Sequence, residues 1–310
     1  MALAFQVLVT GAAAGAVYGL VAVGHSLIYR LTGVVNFAFG DLVGLGVFTT
    51  LLVAAGTGPV TQTSIGGPRF LLALVVGVVV CTAASVATYV FAIQPYVERG
   101  STAGWVAATL AVAYLLSALI ALIFTRATYV IPDPLPFRRI GEAGYFSVGD
   151  VEIQARSFFV IAVGVALAAA ASLILTRTRF GRALRAIADD AVAAGMMGVP
   201  VQALIAAAFG LAGALAGLAA IVAAPSGPFA PDTGLLLGVK GLVAALLVRF
   251  GSPWQAFAAG VALGVAEAAI AGLTVGGLSL GPEYREVLPL AFVLLLVALR
   301  PAREALEEQE

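Results

Sequence analysis

The chain has 310 residues, 62% hydrophobic and only 10% charged, with a mean hydropathy of +1.08. A soluble domain is about 45–50% apolar and ~25% charged, so this composition belongs to a polytopic membrane protein. Zero net charge, from 16 basic and 16 acidic residues, argues against a nucleic-acid partner, while a lone cysteine and a lone histidine exclude an internal disulfide and any multi-histidine metal motif.

Runs of about 20 apolar residues can cross the hydrocarbon core, and they predict spans near 4–29, 34–55, 70–94, 104–125, 157–175, 201–223, 235–250, 254–276 and 287–299. The fold expected is an all-α bundle of eight or nine transmembrane helices forming a single domain over 1–310. The first run carries no charge before Arg30 and reads as a retained span rather than a cleaved leader. The stretches 30–44 and 235–250 are short, glycine-interrupted and carry polar residues, as broken or re-entrant helices do. Cys81 lies in the third run, where a thiol acts as a small hydrophobe.

Four of the 16 basic residues, Arg177, Arg179, Arg182 and Arg185, fall within nine positions between two apolar runs. Such a cluster marks a cytoplasmic loop, 177–200. Alternating outward from it places Arg30, Arg99, Arg249 and the tail 300–310 inside, and the long connection 126–156 outside. Gly181 to Ala194 is expected to form one short surface helix, ended by Gly195 and Gly198 and bearing Arg182, Arg185 and Asp189 at helical spacing. Glycines four apart recur (Gly11, Gly15, Gly19; Gly40, Gly44; Gly213, Gly217; Gly234, Gly238; Gly260, Gly264), a spacing that lets helices approach closely in lipid.

Several chemistries are absent. No phosphate-binding loop of the G-x-x-x-x-G-K-[ST] type occurs, and no serine sits in G-x-S-x-G. The adjacent Asp189 and Asp190 read as a solvated helix face rather than an acid–base pair. What remains is a set of polar groups at membrane depth, costly there and therefore candidates for function. Lys240 is the only lysine, with Glu267 as its counter-charge. Asn36 and Asp41 flank an expected unwinding over Phe37-Ala38-Phe39-Gly40, where freed backbone groups could meet a polar solute. His25, beside Ser26, reads as a hydrogen-bonded packing residue.

Four separated segments carry a family resemblance: Tyr18 to Asp41, Gly181 to Val199, Gly238 to Glu267, and Ala298 to Pro301. Over almost its whole length the chain resembles the permease subunits of branched-chain amino-acid ABC importers, the LivH-like type. The family's N-F-A-x-G pattern is met by Asn36, Phe37, Ala38 and Gly40, followed by the acid Asp41. Gly181, Arg182, Arg185, Ala186, Asp190, Ala194 and Gly198 match its cytoplasmic loop, and Lys240 and the Phe250-Gly251-Ser252-Pro253 turn match as well. Two positions depart. Phe39 stands where a polar residue is common, and Val248-Arg249 stands where Gly-Gly is usual.

The resemblance implies half of a translocation pore in a bacterial or archaeal cytoplasmic membrane, with no cofactor and no enzymatic activity of its own. Its expected partners are a second, related permease, two cytoplasmic ATPases and an external amino-acid-binding protein. The expected substrate path runs past Asn36, Phe37, Asp41, Lys240 and Glu267. The ATPases would dock at Arg182, Arg185, Asp189, Asp190 and Gly198. Import of urea, short amides or other small solutes on the same scaffold is the alternative within this class; a stand-alone secondary transporter or channel is the alternative outside it.

Overall fold

The computed structural model describes residues 2–57, 67–97, 99, 101–129, 145–148, 151–223, 229–271, 274–275, 278–279 and 291. In chain order the helices are α1 (Ala2–Thr32), α2 (Phe39–Ala55), α3 (Gly67–Ala87), α4 (Gln94–Val97), α5 (Thr102–Ile123), α6 (Ala155–Arg177), α7 (Arg179–Asp189), α8 (Ala191–Met196), α9 (Val201–Ala223), α10 (Thr233–Leu247) and α11 (Pro253–Ala271). A π-helical turn, Thr88–Ile93, joins α3 to α4 without a break. Two short antiparallel hairpins, Tyr145–Val148 with Val151–Gln154 and Thr274–Val275 with Leu278–Ser279, are the only strands among the described residues. Among the described residues, six helices are long and apolar enough to span a membrane, and α2 and α10 are shorter apolar helices. The all-α polytopic class is therefore the observed one. The ninth expected span, 287–299, lies outside the described residues apart from Ala291.

The centre of the bundle is α1, which packs against α6, α9, α10 and α11, while α2 and α3 pack against each other and α9. Most of the apolar stretch of α1 and of α9 is buried, against about a fifth in α3, α5 and α6, so the last three turn most of their surface outward. Glycine explains how α1 sits so close to α11. A Cβ on Gly15 would stand 2.6 Å from the Val261 Cα, and one on Gly11 would stand 2.7 Å from the Val265 Cα. Lipid supplies no hydrophobic force between helices, so this close backbone packing is what holds them. A second tight seam joins α2, α3 and α9. There Cys81 is fully buried and its thiol donates to the Leu42 carbonyl at 3.2 Å, while Ser85 donates to the Phe209 carbonyl at 2.7 Å.

The two faces of the bundle are closed differently. On one, Tyr129 and Phe229 form an antiparallel bridge, and their rings gather with Phe48 and Phe124 at centroid distances of 4.8 to 6.2 Å. On the other, Tyr29 at the end of α1 stacks at 3.9 Å on Phe250 in the α10–α11 turn. The exposed Arg30 and Arg249 flank that stack. Leu184 and Ile187 of α7 join Leu27, Leu31 and Val34 of the α1 end in one buried cluster, and α7 packs against α1.

The α10–α11 turn is strained. Arg249 and Phe250 both take left-handed backbone, at φ 52 and 53. That conformation costs a side-chain-bearing residue about 1–2 kcal/mol. Arg249→Gly is therefore expected to stabilise the protein by about 1 kcal/mol, read as a higher thermal midpoint in detergent. A lower midpoint would mean that the contacts of the arginine side chain outweigh the backbone strain.

Candidate functional site

Three constellations bring the polar residues together. The first is the interruption between α1 and α2. Gly33 ends α1 in left-handed backbone at φ +66, and the chain runs irregularly to Ala38 before helix resumes at Phe39. The unwound segment is thus 33–38 rather than the expected 37–40. The physical reason is local. Asn36 Oδ1 accepts from the Ala38 N–H at 3.1 Å, and the Asn36 carbonyl accepts from Phe39 N–H at 3.2 Å, so the turn closes before Phe39. An asparagine side chain that replaces a backbone acceptor is a common way to start a helix.

This segment is not a surface loop. Asn36 is fully buried and Asp41 is 1% exposed, while Phe37 is half-buried. Asp41 Oδ1 accepts from Ser117 of α5 at 2.7 Å. Gly40 abuts α10 with nothing between the backbones: a Cβ on Gly238 would lie 2.7 Å from the Gly40 Cα. Phe39, the apolar departure from the family pattern, is wholly buried in the notch left by Gly24 and lies 5.0 Å from the His25 ring. Around the interruption Asn36 Nδ2, Asp41 Oδ2, His25 Nε2 and Ser26 Oγ are buried with no hydrogen-bond partner among the described residues. His25 therefore packs as expected, but its Nε2 is not satisfied by protein. Buried polar atoms without partners are rare and call for an occupant.

The second constellation is a buried charge triad. Lys240 of α10 lies 3.0 Å from Glu267 Oε1 and 3.2 Å from Oε2. Tyr18 of α1 donates to Glu267 Oε2 at 3.0 Å, and its hydroxyl accepts from Lys240 Nζ at 3.2 Å. The ammonium also sits 5.0 Å from the Tyr18 ring centroid, near the range of a cation–π contact. Lys240 and Glu267 are 5% and 2% exposed. The expected pair is thus present, and it ties three helices rather than two. The sequence alone does not single out Tyr18. It stands 222 and 249 positions from its partners, so only the fold joins them.

The third is the basic loop 177–200, where the expectation of one helix over 181–194 is corrected. Helix α7 stops at Asp189, and Asp190 takes extended backbone and caps α8, accepting from the Val192 and Ala193 N–H groups at 2.9 Å each. An N-capping acid at the end of one helix starts another, and that splits the run. Gly195 lies inside α8. Gly198 alone makes the stop, at φ +83, with Val199 N–H bonding the Ala194 carbonyl and Gly198 N–H the Gly195 carbonyl. Those two bonds form a Schellman ending. Arg185 turns back to donate to the Leu175 carbonyl at the end of α6 at 2.9 Å. Thr178 caps α7 through Gly181 N–H at 3.0 Å, and Gly181 has no room for a side chain against the Ile174 and Leu175 carbonyls. The elbow between α6 and α7 is therefore stiff, with Arg182 and Asp189 left on its exposed side. One link from loop to bundle has no local signal in the sequence: Gln202, at the start of α9, hydrogen-bonds Tyr89 in the π-helical turn.

The described residues thus form a bundle of candidate membrane spans around an interrupted segment, with buried polar groups at the interruption. The chain matches the model of the family described as branched-chain amino acid transport system / permease component over residues 7–298, and it belongs to that family. It is 28% identical over 301 residues to the high-affinity branched-chain amino acid transport system permease protein BraD of Pseudomonas aeruginosa, covering 96% of this chain and 94% of that one. It is 27% identical to LivH of Escherichia coli K12, the permease protein of a high-affinity branched-chain amino acid transport system, covering 96% and 93%. A probable branched-chain amino acid transport permease protein LivH of Methanocaldococcus jannaschii is also 27% identical, covering 91% and 86%. Among solved structures, PsaBC from Streptococcus pneumoniae in complex with Fab is similar at a TM-score of 0.49 and 16% identity, over 100% of this chain and 96% of that chain. By its family and its apolar spans, the protein is a multi-pass permease component of the inner membrane.

Proposed function

We propose that this chain forms half of the pore of an ABC importer for branched-chain or closely related amino acids. A second permease completes the pore, two cytoplasmic ATPases power it, and an external binding protein delivers the solute. The chain performs no chemistry of its own in this reading. The observation that carries it is the interrupted helix at 33–38, with buried, partnerless polar atoms on Asn36 and Asp41. An amide donor and a carboxylate acceptor are complementary to the carboxylate and ammonium of an amino acid. Phe37, half-buried beside them, suits an aliphatic side chain. Lys240 and Glu267 serve the path by fixing α10, whose glycine face lies against Gly40. The loop 177–200 serves as the ATPase seat, with Asp190 and Gly198 setting its shape, Arg185 bracing it against α6, and Arg182 and Asp189 exposed for contact.

The test is solute uptake by the reconstituted complex. Asp41→Asn and Asn36→Leu are expected to lower the leucine uptake rate at least about tenfold, while affinity of the binding protein for leucine stays unchanged. Urea at the same concentration is not expected to compete. Wild-type uptake by both variants would remove these residues from the path, and competition by urea would favour the small-amide alternative.

A further inference from the structure

Two carboxylates are buried among the described residues, and the bundle treats them in opposite ways. Glu267 has both oxygens engaged: Oε1 meets the Lys240 ammonium at 3.0 Å, and Oε2 accepts from the Tyr18 hydroxyl at 3.0 Å. Asp41 has one. Its Oδ1 accepts from the Ser117 hydroxyl at 2.7 Å, while Oδ2 is buried with no hydrogen-bond partner among the described residues. No lysine or arginine among those residues pairs with it. A carboxylate that only holds helices together gains most when both oxygens are bonded, because an unsatisfied buried acceptor is costly. Asp41 does not fit that role. Its open oxygen fits a guest.

The place of Ser117 follows from the face that α5 turns inward. Thr109, Ala113, Ile120 and Phe124 are buried at helical spacing, and Ser117 fills the gap in that stripe, whereas Tyr114, Leu115, Leu119 and Leu122 are exposed. A hydroxyl in a helix commonly bonds back to a carbonyl of its own preceding turn. Thr109 does so, at 3.0 Å to Trp105 and 3.1 Å to Val106, but Ser117 bonds across to α2. Asp41 stands in the first turn of α2. The N-terminal end of a helix favours negative charge, and so does a hydroxyl donor. Neither supplies a counter-cation. With Oδ1 tied to α5, turning of the carboxylate is restrained and Oδ2 stays the oxygen on offer.

We infer that Ser117 is a positioning residue: by holding Oδ1 of Asp41, it fixes Oδ2 as the acceptor for the ammonium of the passing amino acid. This rests on the reading of Asp41 as part of the solute path, and it brings α5 into that path through a residue that acts on Asp41 rather than on the solute. An acceptor already held in place has less freedom to lose when the ammonium arrives, so the gain is one of preorganisation.

The experiment measures leucine uptake and ATP hydrolysis by the full complex of this chain with its second permease, ATPase pair and binding protein. Ser117→Ala is expected to lower the maximal uptake rate about fivefold, the effect of one lost hydrogen bond. The half-saturating concentration of loaded binding protein and the ATP hydrolysis it stimulates should not change, so leucine imported per ATP falls. Ser117→Thr keeps the hydroxyl and should stay within about twofold of wild type. In an Asp41→Ala background, Ser117→Ala should cost nothing further, because its target is gone. Wild-type uptake by Ser117→Ala, or a threonine variant as slow as the alanine one, would overturn the role of Ser117 and leave Asp41 in the path. A further loss in the double variant, or a parallel fall of uptake and ATP hydrolysis in Ser117→Ala, would overturn it in the same way. Wild-type uptake by Asp41→Ala would instead remove Asp41 from the path, and the role of Ser117 with it.

Discussion

Gly15→Leu is expected to abolish the folded protein. The Gly15 Cα lies so close to α11 that an added Cβ would stand 2.6 Å from the Val261 Cα and 2.7 Å from the Gly260 carbonyl oxygen. Carbon atoms in contact need about 3.5–4.0 Å, so the two helices must part by roughly 1 Å, and the rest of a leucine parts them further. Gly11 and Gly19 on α1 and Gly260 and Gly264 on α11 are equally close, so separation at one point opens the whole seam. Lipid adds no hydrophobic force to close the gap again, and overpacking against backbone cannot be relieved by a rotamer change. A loss of about 3 kcal/mol or more follows. Gly67→Ala is the control, because a Cβ there meets nothing within 4 Å. The thermal midpoint in detergent and the level in the membrane are the readouts. Equal behaviour of Gly15→Leu and Gly67→Ala would refute the close-packed seam.

The second large effect concerns the buried triad. Removing one member of a buried ion pair leaves the other charge without compensation and costs about 3–5 kcal/mol, whereas replacing both by apolar groups is often nearly neutral. Glu267→Leu and Lys240→Met should each destabilise the protein strongly. The double variant should be more stable than either single one, giving a coupling energy above about 1 kcal/mol in a double-mutant cycle. Tyr18→Phe should cost less, since the ion pair survives and only the two hydrogen bonds of the hydroxyl go. Additive losses would mean that the pair is not coupled. Uptake divides two roles: if the pair only fixes α10, the double variant transports, whereas if it touches solute, it does not.

The spans are largely legible in the sequence because few structures other than a membrane crossing can bury twenty consecutive apolar residues. The observed helices α1, α5, α6 and α9 begin and end within a few residues of the runs that predict them. The glycine spacings are legible too, although which glycine faces which helix is not. That Gly15 meets Val261, and Gly40 meets Gly238, depends on the order in which helices pack. Lys240 and Glu267 can be paired from charge alone, since an unpaired charge at depth is expensive. Tyr18 cannot, because a tyrosine in an apolar helix carries no mark of what its hydroxyl will find. The basic loop departs from its expected form for a different reason. Its residues favour helix throughout, and the break at Asp190 comes from one side chain choosing two backbone N–H groups over continuation. The helix that this cap starts is the one that turns Val192 and Met196 outward.

That this chain is a passive half-pore, importing only when partners supply energy and solute, is tested most directly by radiolabelled leucine uptake into proteoliposomes. No accumulation is expected with this chain alone, with or without an ion gradient. ATP-dependent accumulation is expected once the second permease, the ATPase pair and the binding protein are all present. Gradient-driven accumulation by the chain alone would contradict the passive half-pore.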